Sequence, residues 1–315
     1  MKNNQAKAIA ATIITRVIWG FSFLFTRTIV VRIHFLNLLS WRFFFAFLTF
    51  LILIVFKVFK IDLKGKKLLP LIAIAIAEPL FFFTFESIGL YHTTASETSL
   101  LIATIPIAAM IIGIPVAKQI PAKKQAFSIV MTVVGVLIIV LGQSAGGIEF
   151  DILGYLVLIA AVFSAAVCYS LSAKYCEYSS AEKTFVMMLV GAIGFGSAAL
   201  ARNIAAGTIS EWLMLPFRDS EFLIAVLYLG VLSSVIAYVG QHYSISVLGL
   251  NRNVSFSSLT TLTTVLAGVF ILNEKINFNM IIGGIVILAG VYGANYFTPQ
   301  RESLKSKKRQ DSQLL

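Results

Sequence analysis

Apolar residues run through this chain in long blocks, each closed by a short polar interruption. A helix needs about 20 mostly apolar residues to cross a bilayer. The blocks predict such helices near residues 7–26, 36–58, 68–91, 95–117, 124–142, 152–174, 183–203, 221–244, 252–272 and 278–297. The division between the third and fourth rests on Tyr91-His92-Thr93-Thr94. The connections leave no room for a soluble domain, so the pattern predicts an all-α integral membrane protein with ten transmembrane helices. Lys2 and Lys7 ahead of the first block imitate a signal peptide. The block, however, continues through Arg16 to about Val30 without a small-residue cleavage site, and helix 1 is expected to stay in the mature protein.

Composition changes the picture only by naming the solvent. Of 315 residues, 58% are hydrophobic and 12% charged, with a mean hydropathy of +0.91. A soluble core of this length cannot hide that much apolar surface. A net charge of +11 would suggest nucleic acid in a soluble protein. With a cytoplasmic N-terminus, however, eighteen of the 25 lysines and arginines fall in loops and tails on that side. Five, Arg27, Arg32, Arg202, Arg218 and Lys275, fall on the other, and Arg16 and Arg42 lie inside helices. This is the positive-inside bias. It predicts cytoplasmic N- and C-termini in a multi-pass bacterial inner-membrane protein, and removes the reason to expect a nucleic-acid partner. The expected partners are the lipid bilayer and a small-molecule substrate, for a monomer or homodimer. Trp41 and Trp212 fall at the outer boundary, where amphipathic rings prefer to sit.

Displacing the chain on itself by 155 residues pairs Gly135-Val136 with Gly290-Val291, the Thr-Ile-Pro106 run with Leu259-Thr260-Thr261, and Gln119 with Glu274. The hydropathy repeats as five helices and five helices, and because five is odd the halves must cross the membrane in opposite senses. The expected division is residues 1–146 and 147–298 as two inverted five-helix repeats, followed by a basic tail at 299–315. Inverted repeats are an architecture of secondary transporters, whose halves meet near the midplane and rock about a central site.

Particular residues then point to a family. Trp19-Gly20 with Phe23 and Arg27 in helix 1, Arg42 in helix 2, Ala237-Tyr238 through Leu248-Gly249, Leu272-Asn273-Glu274 and Leu288-Ala289-Gly290-Val291-Tyr292 together resemble the drug/metabolite transporter superfamily in its ten-helix EamA-type branch. The resemblance runs from about residue 10 to 297. It departs from the pattern at Gln119, between Lys118 and Pro121, where the first repeat should carry the loop glutamate that the second has at Glu274. The resemblance implies metabolite or amino-acid transport, commonly export, without ATP and often driven by an ion gradient; it does not imply a substrate.

An ionisable residue in mid-helix costs about 2.5–3.5 kcal/mol on insertion scales, so each needs a partner, a watery cavity or a function. Arg16, Arg42, Glu78, Glu86 and Glu97 are such residues. Arg16 and Glu78 lie about three turns from the outer ends of their helices, Arg42 and Glu86 one to two turns, so matched depth predicts the ion pairs Arg16–Glu78 and Arg42–Glu86. Two roles are open for each pair: holding helices 1, 2 and 3 together, or serving a ligand. A buried guanidinium can grip a carboxylate through two parallel hydrogen bonds, and a desolvated glutamate can carry a proton. Glu97 is shallow enough to reach water.

Glu78, Phe82, Phe85 and Glu86 share one helical face. Pro79 and Pro106 disrupt their helices and mark a binding level or hinge. The polar end of helix 8 holds Tyr238, Gln241 and His242, and helix 9 carries Thr260, Thr261, Thr263 and Thr264; such groups serve interhelical bonding or cavity lining. Glycines in helices 7 and 10 suit close packing. The candidate substrate-binding set is therefore Arg16, Trp19, Arg42, Glu78, Phe82, Tyr238 and Gln241, with Glu78 and Glu86 as proton-coupling candidates.

Cys168 and Cys176 have no ligand-spaced companions, and His34 and His92 are solitary residues near the outer surface, so neither a metal nor a cofactor is expected. No hydrolase constellation and no phosphate-binding GxxxxGK[ST] loop is present, which argues against an enzyme and against a built-in ATP motor. The leading expectation is a secondary transporter exporting amino acids or related metabolites by alternating access, with proton coupling. The alternatives are an exporter of drugs or other organic compounds, an exchanger of phosphorylated metabolites or nucleotide sugars, and, last, a membrane protein that does not transport. Helix 1 carries Arg16 and no acid, against a cationic substrate; only two basic residues are deep, against phosphate.

Overall fold

The computed structural model describes residues 2–117, 123–145, 151–175, 177–248, 253 and 256–296. Gln119, Cys176, Gly249, Arg252 and the basic tail lie outside the described residues. Among the described residues, fourteen helices and two π-helical stretches follow in chain order, with no strand. They are α1 (Lys2–Val30), α2 (Phe35–Val55), α3 (Leu69–Ala75), the stretch π1 (Ile76–Phe81), α4 (Phe82–His92), α5 (Ala95–Ile102), α6 (Ile105–Ala117) and α7 (Lys123–Ala145). Then come α8 (Ile152–Lys174), α9 (Ser180–Ala206), α10 (Ile209–Arg218), α11 (Ser220–Leu227), the stretch π2 (Tyr228–Ile236), α12 (Ala237–Leu248), α13 (Ser257–Leu272) and α14 (Phe278–Tyr296).

Among the described residues, seven helical segments are long and apolar enough to cross a membrane: Asn4–Val30, Phe35–Val55, Leu69–His92, Ala95–Ile112, Ile152–Ser172, Ser180–Ala206 and Ser220–Leu248. Three shorter apolar helices, Ala126–Leu141, Ser257–Leu272 and Phe278–Gly293, stand where the fifth, ninth and tenth were expected. Large apolar side chains such as Phe44, Phe56, Phe81, Leu141, Phe270 and Tyr292 face outward, a surface that suits lipid. The chain is a multi-pass membrane protein.

Local chemistry sets the helix ends. Thr94 and Glu97 form a reciprocal capping box at the start of α5, which separates the third expected span from the fourth. Ser179 and Glu182 do the same for α9, which ends on left-handed Gly207. One element departs from expectation: residues 209–218, read as loop, form α10. Its Trp212 donates to Ser40 Oγ at 3.0 Å, and its carbonyl accepts from Trp41 Nε1 at 3.1 Å. Leu213, Met214 and Phe217 stay exposed. A ten-residue amphipathic helix buries too little to appear as an apolar block, yet it is the form a chain takes lying along an interface.

The packing follows a rule. Numbering the expected spans one to ten, the pairs in extensive contact include 5 with 10 (α7, α14), 2 with 7 (α2, α9) and 4 with 9 (α5, α13). Span 1 packs on 8 and 9 (α12, α13), and span 6 (α8) packs on 3 and 4 (α4, α6). Advancing every span by five returns the same set of pairs. The α7–α14 contact is close because Gly135 faces Gly283: a Cβ on Gly135 would lie 2.8 Å from the Gly283 carbonyl oxygen, and one on Gly283 2.7 Å from that of Gly135.

Candidate functional site

On α1, Arg16, Trp19 and Phe23 recur at helical spacing and face inward. Around them α2, π1, α4, α5, α6, α8, π2, α12 and α13 line a cavity. Six of the seven expected substrate-binding residues, Arg16, Trp19, Arg42, Glu78, Phe82 and Tyr238, line it, as does Glu86. The seventh, Gln241, lies one turn along α12 from Tyr238, is 1% exposed, and does not line the cavity.

Three breaks in helix geometry meet here. Glu78 has φ −145° and ψ 114° inside π1 and precedes Pro79 through a cis peptide bond. The Ala77 carbonyl beside it accepts a hydrogen bond from Ser164 Oγ at 2.7 Å. Between α5 and α6 the chain turns at Ala103 and Thr104 just before Pro106, and π2 carries Ser233. Each break contributes to the cavity wall: Glu78, then Ala103 with Pro106, then Ser233. Irregular backbone at membrane depth is tolerated where it is buried in protein or lines a cavity, and π-helical turns cluster at functional sites. Glu78, the residue before Pro79, and Pro106 both line the cavity; Pro79 itself does not.

The expected ion pairs do not form. Arg16 donates through Nη2 to Asn253 Oδ1 at 2.7 Å and to the Asn253 carbonyl at 3.4 Å. Its Cζ lies 5.4 Å from the Trp19 ring, and its Nε is buried without a partner. Glu78 accepts from the Tyr238 hydroxyl at Oε1, while Oε2 has no hydrogen-bond partner. Arg42 donates to Ser234 Oγ at 3.0 Å and Ser233 Oγ at 3.3 Å, with its Cζ 3.9 Å from the Phe83 ring centroid. The ion pairs found among the described residues all lie elsewhere. Depth along a helix can be read from sequence, but azimuth cannot, and the neutral partners come from the second half of the chain.

Aromatic contacts stiffen the wall. Trp19 and Tyr238 meet edge to face with centroids 5.3 Å apart, and Trp19 Nε1 donates to the Ser233 carbonyl at 3.1 Å. On the facing wall Thr261 Oγ1 donates to the Ser99 carbonyl at 3.3 Å, while Thr260 Oγ1 is buried without a partner. Asn253, Ser233, Ser234 and Tyr169 were not foreseen as part of the site. The adjacent serines in an apolar run were a usable signal; Asn253 offered none.

The remaining candidates have structural work. Glu97 closes the capping box and accepts from the Tyr155 hydroxyl at 2.9 Å. Glu274 accepts from the backbone N–H of Ala95 at 2.7 Å and of Ser96 at 3.1 Å, tying the end of α13 to the start of α5. Gly268 leaves it room: a Cβ there would sit 2.5 Å from Glu274 Oε2. His34 caps α2. His92, expected to be simply solvated, lies 2.5 Å from Asp151 and joins α4 to α8. Among the described residues no cluster of three metal-ligating side chains occurs.

The chain is similar to known proteins over most of its length. The EamA-like transporter family matches twice, over residues 6–141 and 152–296. The uncharacterized transporter YcxC of Bacillus subtilis is 30% identical, covering 94% of this chain and 95% of its own. An uncharacterized transporter of Archaeoglobus fulgidus is 28% identical over 89% of this chain and 94% of its own. A WAT1-related protein of Arabidopsis thaliana is 28% identical over 70% of this chain and 66% of its own. A solved structure covering 92% of this chain and 96% of its own shares the fold, with a TM-score of 0.61 at 15% identity.

Proposed function

The chain belongs to the EamA-like transporter family and is a transporter; from that premise we propose that it exports amino acids or related small zwitterionic metabolites by alternating access, with Glu78 carrying a coupling proton. One observation carries the reading. Arg16 Nε and Glu78 Oε2 are buried without partners, and both residues line one cavity. A buried charge held only by neutral groups keeps its charge for a ligand. The guanidinium suits a carboxylate, for which Arg has fixed donor geometry. The two glutamates suit an ammonium group, and Trp19, Phe82 and Phe83 suit an apolar side chain.

Two features support alternating access between inverted repeats. The family matches each half separately, and the most extensive span pairings are unchanged when every span is advanced by five. Two such repeats, residues 1–146 and 147–298, rocking about the central cavity would expose Arg16 and Glu78 to one side and then the other. The excess of basic residues in the loops on the tail side favours cytoplasmic termini in a bacterial inner membrane.

The test is uptake by proteoliposomes of a labelled panel: amino acids, organic acids, aromatic cations and a sugar phosphate, each with and without an imposed pH gradient. The reading expects an amino acid to accumulate only when the gradient is present. Movement of cations alone would establish the drug-exporter alternative, and movement of the sugar phosphate the phosphate-exchanger one.

A further inference from the structure

Below Tyr238 on α12 the polar character of the site continues instead of ending. His242 is four residues on, its ring 6.3 Å from that of Tyr238, and its Nε2 is buried without a partner. On α8, the Cys168 thiol lies beside both Glu78 and Ser172. Ser172 Oγ is likewise buried and unpartnered. One step further, Lys183 on the first turn of α9 donates from Nζ to the Ser172 carbonyl at 2.8 Å while only 8% exposed. Polar atoms thus run from Glu78 past Cys168 and Tyr238 to Ser172 and His242, and end at Lys183, where α8 finishes and α9 begins.

Apolar packing does not require this file, because each unpaired polar group buried in it costs about 1–3 kcal/mol. Unpaired polar groups are what buried water binds where space admits it, and chains of ionisable groups inside membranes mark proton relays. Glu78 is faced by Tyr238 from α12, Cys168 and Tyr169 from α8, Arg42 from α2 and Glu86 from α4; His242 is faced by Lys183 from α9.

We propose that this file is a hydrated passage through which Glu78 exchanges its proton with the side of the membrane where α8 ends and α9 begins. A proton entering beside Lys183 moves along water and the Ser172 and His242 side chains to the Glu78 carboxylate, which becomes a carboxylic acid; release retraces the path. The proposal rests on the reading of Glu78 as the proton carrier, but its test needs no transported substrate.

Cys168 is the reporter. With Cys176→Ser it is the one remaining thiol, and its S–H stretching band shifts in the infrared when deuterium replaces the proton. The purified protein in lipid is transferred to D2O and the shift is timed. The passage predicts ready exchange in this background and at least about tenfold slower exchange after Ser172→Val or His242→Phe. His242→Gln, which keeps a polar group in place, restores the fast rate and separates blockage from misfolding. No exchange in the background, or equal rates in all variants, would overturn the proposal. If the substrate panel fails while His242→Phe slows exchange, the passage stands and the assignment of amino-acid transport falls.

Discussion

Residues before 110 furnish the cavity with two arginines and two glutamates beside Ser22 and Ser99, whereas those after 160 bring no charge, only hydroxyls: Tyr169, Ser233, Tyr238, Ser257, Thr260 and Thr261. The hydroxyl wall and its surroundings supply a neutral partner for three of the four charges. Tyr238 serves Glu78, Ser233 and Ser234 serve Arg42, and Asn253 serves Arg16. The difference teaches how a membrane protein keeps charge usable. An ion pair inside the bilayer would cancel both members and leave nothing for a ligand, while breaking it would strand a buried charge. A hydroxyl or amide orients the charged group and lowers the cost of its burial without consuming it. In this account the first wall recognises and couples, and the second positions.

The sharpest way to break that division is to truncate the charged wall. Arg16→Ala is expected to slow both exchange and gradient-driven uptake of the substrate by roughly 10- to 150-fold, as initial rates in proteoliposomes. That corresponds to about 1.5–3 kcal/mol for a hydrogen bond to a charged group. Next comes a change remote from both walls. Gly135→Val drives a side chain against the Gly283 backbone and should destabilise the protein by about 1–3 kcal/mol. It should lower the unfolding temperature in detergent while leaving substrate selectivity as it is.

Tyr238→Phe removes one neutral partner and is expected to cost about 1 kcal/mol, a several-fold loss of rate. If it matched Arg16→Ala, the division between walls would fail. The smallest effect lies at the rim. Burial alone would raise the Asp219 carboxyl, but the N–H of Phe222 and the Arg32 guanidinium, 2.6 Å away, together hold it below the usual aspartate range. A carboxyl depressed on folding contributes stability at pH above its unfolded value and loses it as pH falls through the folded one. Thermal melts should therefore show an acid-side decline of no more than about 1 kcal/mol, absent in Asp219→Asn.

Much of this could be read from sequence because the signals were one-dimensional. Apolar blocks gave the seven long segments and the positions of the three shorter helices, and Glu78-Pro79 announced a break that the backbone at Glu78 bears out. Depth along a helix matched Arg16 with Glu78 and Arg42 with Glu86 at two levels; the structure places all four on one cavity. What failed was partnership. Asn253 sits 237 residues from Arg16, and nothing in its neighbourhood announces the contact; the direction in which a side chain leaves its helix is set by packing. Helix α10 escaped because its apolar face is only ten residues long, and Gln241 was placed one turn too near the cavity by its proximity to Tyr238.

The central claim, that Glu78 couples the proton while Arg16 holds the substrate, is met most directly by measuring Glu78→Gln in both transport modes. The account predicts that isotope exchange at equal pH persists while uphill accumulation under a pH gradient disappears. Accumulation at the wild-type level in that variant would contradict it.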